Sequence, residues 1–303
     1  MNAGIIAQSP SPVAMPYRLL GSPAVVPTTY GRREEWHPDV ANWMQRAKNN
    51  GGQFGYRTLL ALQDFCTAIA AAGLRSTMLR LNLFVGDNLQ AALTPLYVAA
   101  SATGTTLGNA TDTNGNFVSA DYTEYGASGG LLGNGSTKYL DTGFSLGTAG
   151  IASTGHLSVY RAAVASLVAD RNLIGVVDAG FGQFYIISHN GSAAAYDSYY
   201  GGTSGVGASL SVSATHVLLN RSANNAAQQY INGSSSGSSS SSVSPNNPGR
   251  NVWVFARNQG TAAGPIAARF RCYSIGRSMS AASAASFYTA LTAFATAMER
   301  TPT

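Results

Sequence analysis

Charge is what this sequence has least of. Asp, Glu, Lys and Arg together make up 10 % of its 303 residues, where about 25 % is usual for a soluble chain. Glutamate is especially scarce, confined to Glu34, Glu35, Glu124 and Glu299. That leaves little material for chemistry that needs paired carboxylates. The cysteines are Cys66 and Cys272, too few for a disulfide scaffold. They read as two buried thiols, with a single bridge as the alternative. No apolar run reaches the roughly 20 residues of a membrane helix. No signal peptide is recognisable at the N-terminus, and Pro10, Pro12 and Pro16 fall where its helix would have to form. These absences point to a chain made in a cytoplasm, without export by an ordinary signal and without membrane insertion.

Gly, Ala, Ser, Thr and Asn fill the space that charge leaves. Surfaces of that kind gain solubility from hydroxyls and amides, a habit of β-rich, secreted and virion proteins. The net charge of +5 is uneven. Residues 1–80 hold eight basic and four acidic side chains, a net of +4, and the remainder holds ten and nine, a net of +1. Such an excess favours an acidic partner. Yet no Lys/Arg cluster with interleaved aromatics occurs, and Arg32 and Arg33 run directly into Glu34 and Glu35. Nucleic acid is therefore not an expected partner. The length suffices for one large β-sandwich plus an attachment segment, with a core that needs no metal or disulfide.

Residues 1–35 contain Pro10, Pro12, Pro16, Pro23 and Pro27, which exclude both a continuous helix and a central strand. They read as an extended arm that orders against a partner, with a disordered tail as the alternative. Helices are expected over 38–49, with Pro38 at the first position, and over 56–72, capped by Gly73. Beyond Gly73 the pattern becomes short Val-, Ile-, Tyr- and Phe-rich segments separated by Gly, Asn and Ser. Strands are expected at 78–85, 117–125, 137–142, 156–161, 173–178, 183–189, 195–200, 208–212, 215–220, 227–231, 251–257 and 267–275. Gly135, Gly191 and Gly233 each follow Asn and mark tight turns. The serine-rich stretch 234–244 reads as a solvent-exposed hairpin loop. A last helix is expected from Ser280 to Arg300, with Phe287, Leu291, Phe294 and Met298 on one stripe. The fold class is mainly β: an antiparallel jelly-roll β-sandwich with an N-terminal arm, two helices and a closing C-terminal helix. The division is 1–55 for arm and short helix, serving attachment, and 56–303 for helix, sandwich and closing helix.

Three stretches carry a family resemblance: DFCTAIAAAGLRSTMLRLNLFVGDNLQAALTPLYV at 64–98, DYTEYGASGGLLGNGSTKYLDTGF at 121–144 and FRCYSIGRSMSAASAASFYTALTAFATAM at 270–298. Together they resemble laminin-G-like, concanavalin-A-like jelly-roll modules of bacteriophage structural proteins. The resemblance implies that Leu131–Phe144 carry an early strand pair. It also implies that Tyr273–Arg277 end the last core strand before the closing helix. It covers roughly residues 64–300. Modules of this kind sometimes hold calcium at the sandwich rim.

Candidate chemistry is thin. Glycan cleavage needs two carboxylates flanking the bond. Glu124 is the one Glu within the expected sandwich, and its companion Asp121, three residues away, points to the opposite face of a strand. No catalytic residue is assigned. His37, His156, His189 and His216 show no metal-ligand spacing. Asp112, Asn114 and Asn116 alternate in DTNGN and could offer oxygens to calcium, against an ordinary Asn-Gly turn; no other cofactor is implied. Tyr196, Asp197, Tyr199 and Tyr200 crowd one strand and form the candidate ligand-binding set, against a role in the core. The expectation is a non-enzymatic virion structural protein, a head decoration, fibre or tail component anchored by its N-terminal segment. Its partners would be capsid or tail proteins and further copies of itself. The alternative is a tail adhesin that binds a host surface glycan or receptor, and a third reading is a glycan-degrading enzyme.

Overall fold

The structure is a computed structural model. It describes residues 36–101, 104–164, 170–178, 182–188, 195–200, 206–209, 212–240 and 249–300, the backbone alone at 195–200 and 207–209. The compact body runs from Trp36 onward. The helix expected at 38–49 lies within that body. The arm expected at 1–35 lies outside the described residues.

Among the described residues, two nine-stranded sheets face each other. The first holds β1 (Met78–Asn82), β2 (Tyr97–Val98), β4 (Tyr122–Thr123), β5 (Gly130–Leu132), β7 (Gly155–Arg161), β12 (Thr215–Ala223), β13 (Ala226–Ile231), β14 (Ser234–Ser239) and β18 (Arg269–Arg277). The second holds β3 (Thr113–Gly115), β6 (Tyr139–Asp141), β8 (Asn172–Asp178), β9 (Gly182–Ile187), β10 (Ala195–Tyr200), β11 (Val206–Ser209), β15 (Trp253–Val254), β16 (Arg257–Asn258) and β17 (Ala262–Ala263). Pairing is antiparallel except between β16 and β8. The chain is mainly β, a jelly-roll-like sandwich, as the sequence pattern implies.

Alternation along the strands decides what each face meets. In β7 and β12, Leu157, Val159, Val217 and Leu219 join the core between the sheets, where they meet Leu140, Ile174, Phe184 and Val254 of the second sheet. Tyr160 and Leu218 point the other way, into a second core under the helices. The helices are α1 (Pro38–Asn49), α2 (Tyr56–Ala71), the single turn α3 (Leu89–Ala92) and α4 (Ala281–Ala297), and α1, α2 and α4 build that layer. Phe65 of α2 meets Phe294 of α4 edge-on at 5.6 Å. Burying each such ring contributes about 1.5–3 kcal/mol. The Ser280 hydroxyl caps α4 through Ser283 N–H at 3.1 Å. The first sheet is thus covered on both faces, whereas α1, α2 and α4 leave the outer face of the second sheet alone.

Two expectations are corrected. Residues 234–239 of the stretch expected as a loop form strand β14, paired along β13, while residues 241–244 lie outside the described residues. Asn232 (φ 50°) and Gly233 (φ 78°) make a two-residue turn of the primed kind, and that turn sets the pairing register whatever side chains follow. Within Leu131–Phe144 the strands β5 and β6 lie in opposite sheets, so they are not a pair. The Asn-Gly turn at Gly191 lies outside the described residues. Cys66 and Cys272 are free and buried, and burial pushes both thiols up to about 12. Among the described residues, no helix is long and apolar enough to cross a membrane.

Candidate functional site

The outer face of the second sheet carries a row set by strand register. Thr113 of β3 lies opposite Asp141 of β6, and Asp141 lies opposite Trp253 of β15. Trp253 lies opposite Gly175 of β8, Gly175 opposite Tyr185 of β9, and Tyr185 opposite Tyr199 of β10. Leu140 and Val254 point inward and are fully buried, so alternation turns Tyr139, Asp141 and Trp253 outward. The Tyr139 and Trp253 rings stack with centroids 4.2 Å apart and planes 18° apart. Both residues are half-buried. Gly115 makes the stack possible, because a Cβ there would stand 2.9 Å from the Tyr139 ring. Farther along the row, the Arg257 guanidinium lies 4.7 Å over the Tyr185 ring.

A cleft of about 530 Å³ opens at the end of this row, lined by Thr105, Thr106, Asn109, Gly143, Thr148 and Asn251 among others. No charged side chain lines it among the described residues. It adjoins the aromatic stack through Asp141, whose carboxylate accepts from Gly143 N–H at 2.8 Å and from Asn251 Nδ2 at 3.4 Å. The wall is held from behind by Arg80, which donates to Asn109 O at 2.8 Å, to Asp112 Oδ1 at 2.7 Å and to the Tyr273 hydroxyl at 2.9 Å. Burial alone would lower the Arg80 pKa; Tyr273 and Asp112 outweigh it and raise it. The Tyr273 hydroxyl is pushed well up, chiefly by burial.

The residues singled out from the sequence fall elsewhere or partly here. Asp112 accepts on one oxygen from Arg80 and Tyr273 and on the other from Asn82 Nδ2. Asn114 closes a local turn with Phe117, accepting from its N–H at 2.7 Å and donating to its carbonyl at 2.8 Å. Asn116 donates to Thr137 O. A calcium ion would have to displace these partners. Tyr196, Asp197, Tyr199 and Tyr200 lie on β10; their side chains lie outside the described residues. Register puts Tyr199 at the end of the row, while Tyr200 stands opposite Phe184. Sequence reading missed Tyr139, Asp141 and Trp253. Their signal was the alternation in Tyr139-Leu140-Asp141 and Asn251-Val252-Trp253-Val254.

Other clusters explain themselves structurally. Glu124 is buried and accepts from Thr58 Oγ1 at 2.5 Å and Gly86 N–H at 2.8 Å. Burial raises its pKa; the bonds from Thr58 and Gly86 oppose that rise, and Asp87 adds to it. Asp121 is held by Lys138 at 2.5 Å. His156 contacts Ser274 Oγ at 2.9 Å, and Ser274 contacts Ser158 Oγ at 2.7 Å. That resembles a nucleophile and its base, but all three residues are fully buried. His37, Asp39 and Cys66 offer ligand atoms within 4.8 Å of one another. Arg75 already occupies both Asp39 oxygens, at 2.8 and 2.9 Å, and burial pushes the Cys66 thiol up to about 12.

No protein-family model matches the chain, and no curated protein does. Solved structures do match. One is domain 4 of a GH43 extracellular arabinanase from Geobacillus stearothermophilus, in complex with arabinotriose: 9 % identity, 70 % of this chain and 98 % of that one, TM-score 0.42. Another is a mutant of Trypanosoma rangeli sialidase displaying trans-sialidase activity: 11 % identity, 80 % of this chain and 40 % of that one, TM-score 0.45. A third is the CBM40 module of Ruminococcus gnavus IT-sialidase bound to alpha2,3 sialyllactose: 16 % identity, 46 % of this chain and 89 % of that one, TM-score 0.36. Likenesses of this extent carry nothing about ligand or activity.

Proposed function

We propose that this chain is a non-catalytic recognition module that binds carbohydrate, free or on a host receptor, at the outer face of its second sheet. The observation that carries the reading is the half-buried Tyr139–Trp253 stack beside an uncharged cleft of about 530 Å³. Sugar rings present C–H faces that pack on aromatic planes and rims of hydroxyls that suit amides, hydroxyls and carboxylates. The non-catalytic part is supported by Glu124 and Asp121, whose carboxyls are taken up by neighbours. The test is a titration of the full chain against neutral oligosaccharides. Trp253→Ala and Tyr139→Ala lose binding and keep the melting temperature within a few degrees; binding that survives both substitutions refutes the reading.

A second reading, compatible with the first, is a bacteriophage virion component, a head decoration or tail structure tethered by its N-terminal segment. It is supported by the sequence of residues 1–35, whose five prolines exclude a continuous helix and a central strand. Deletion of residues 1–35 then spares glycan binding and abolishes incorporation into particles. Normal incorporation of the shortened chain refutes it.

A further inference from the structure

Resting on the carbohydrate reading, we infer that the ligand is a neutral glycan presenting vicinal hydroxyls, and that Asp141 both grips those hydroxyls and turns acidic sugars away. The cleft offers uncharged groups only. Thr105, Thr106 and Thr148 are exposed, and their hydroxyls have no partner among the described residues. The charges that stand nearest are mostly cancelled. Arg80, behind the wall, is paired with Asp112 at 2.7 Å with neither side chain exposed. Arg250 is paired with Asp178 at 3.4 Å, and Asp178 also accepts from Gly249 N–H at the cleft's edge. Arg257 has no ion pair among the described residues; it stands opposite Gly175 in the row, as Trp253 does, and its guanidinium is turned over the Tyr185 ring, 4.7 Å away, on the side of the stack away from Asp141.

Asp141 has no cation to cancel it among the described residues. Its two oxygens have one amide donor each, so each keeps lone pairs for a sugar hydroxyl. It stands directly opposite Trp253 in register. A sugar ring lying on the Tyr139–Trp253 stack therefore brings its hydroxyl edge over a carboxylate. Charge-assisted hydrogen bonds of that kind are the stronger class. A uronate or sialate carboxylate in the same place meets a like charge, which is repelled.

The experiment presents the full chain with neutral oligosaccharides and with uronate- and sialate-bearing members of the same backbones, first on a glycan array and then by calorimetric titration. Neutral members are expected to bind at least roughly tenfold more tightly than acidic ones. Asp141→Asn, which keeps an oxygen for Gly143 N–H, is expected to weaken neutral binding and to narrow that ratio. Equal or tighter binding of acidic members, abolished by Trp253→Ala, overturns the inference and leaves the carbohydrate reading standing. A ratio unchanged in a folded Asp141→Asn protein also overturns it. Absence of binding to every glycan removes the carbohydrate reading itself. Selectivity of the unmodified chain is measured first, so the inference can be refuted even if Asp141→Asn fails to fold.

Discussion

Arg80 and Asp112 meet at 2.7 Å in the body of the protein, with no solvent exposure on either side chain. The pair joins β1 to the segment that walls the cleft. Removing the cation leaves a buried carboxylate whose remaining donors, Tyr273 and Asn82, are neutral. Arg80→Met is therefore expected to cost roughly 3–5 kcal/mol. Arg80→Met/Asp112→Asn should recover part of that loss, because the uncompensated charge is gone. Urea unfolding of the three proteins measures both; equal stability of Arg80→Met and wild type would contradict the buried-pair description.

His216 and His156 make stability fall in acid. Burial lowers their pKa values to about 3 and about 4, from an ordinary 6.5. The unfolded chain therefore binds protons that the folded chain refuses. Their contribution is fully present above about pH 6.5 and declines as pH falls toward those lowered values. Both ring nitrogens of His216 are buried without a partner among the described residues, within an aromatic setting of Tyr160, Phe287 and Tyr288. His216→Phe should raise the melting temperature at neutral pH and make its decline toward pH 4 shallower. An unchanged acid slope in that variant would count against the assignment.

Glu124 works in the opposite direction. Its raised pKa means that the folded protein holds this proton more firmly than the unfolded chain does. Stability from that source is present in acid and is lost as pH rises through the raised value. Glu124→Gln keeps an oxygen for Thr58 and Gly86 and adds a donor toward Asp87. It should melt at the same temperature as wild type or higher at pH 7, whereas Glu124→Ala should melt lower. A large loss in Glu124→Gln would show that the ionised carboxylate is needed there.

Much of the sandwich was legible in the sequence. The helices at 38–49 and 56–72 emerge as α1 and α2, and the segments at 156–161, 173–178, 195–200 and 227–231 emerge as strands within a residue or so. Most carry regularly spaced apolar or aromatic side chains, and each has a Gly, Asn or Pro boundary that acts locally. Strand β14 was hidden because its serines carry no apolar period; backbone pairing dictated by the preceding turn makes it a strand. The candidate site was hidden for a different reason. Tyr139, Gly175, Tyr185 and Trp253 become neighbours only through pairing of strands far apart in the chain. Alternation tells which way Trp253 faces, not what stands beside it. Tyr199, chosen for its crowded segment, reaches the same row by register alone.

Of the two stacked rings, Trp253 is the larger and stands directly opposite Asp141. Calorimetric titration of the full chain with a neutral oligosaccharide that binds it, repeated on Trp253→Ala, tests the central claim most directly, with thermal melting of both proteins as the control for folding. The expected result is saturable binding by wild type and affinity weakened by roughly tenfold or more in a folded Trp253→Ala protein. Unaltered affinity in that variant would place the ligand elsewhere and contradict the site.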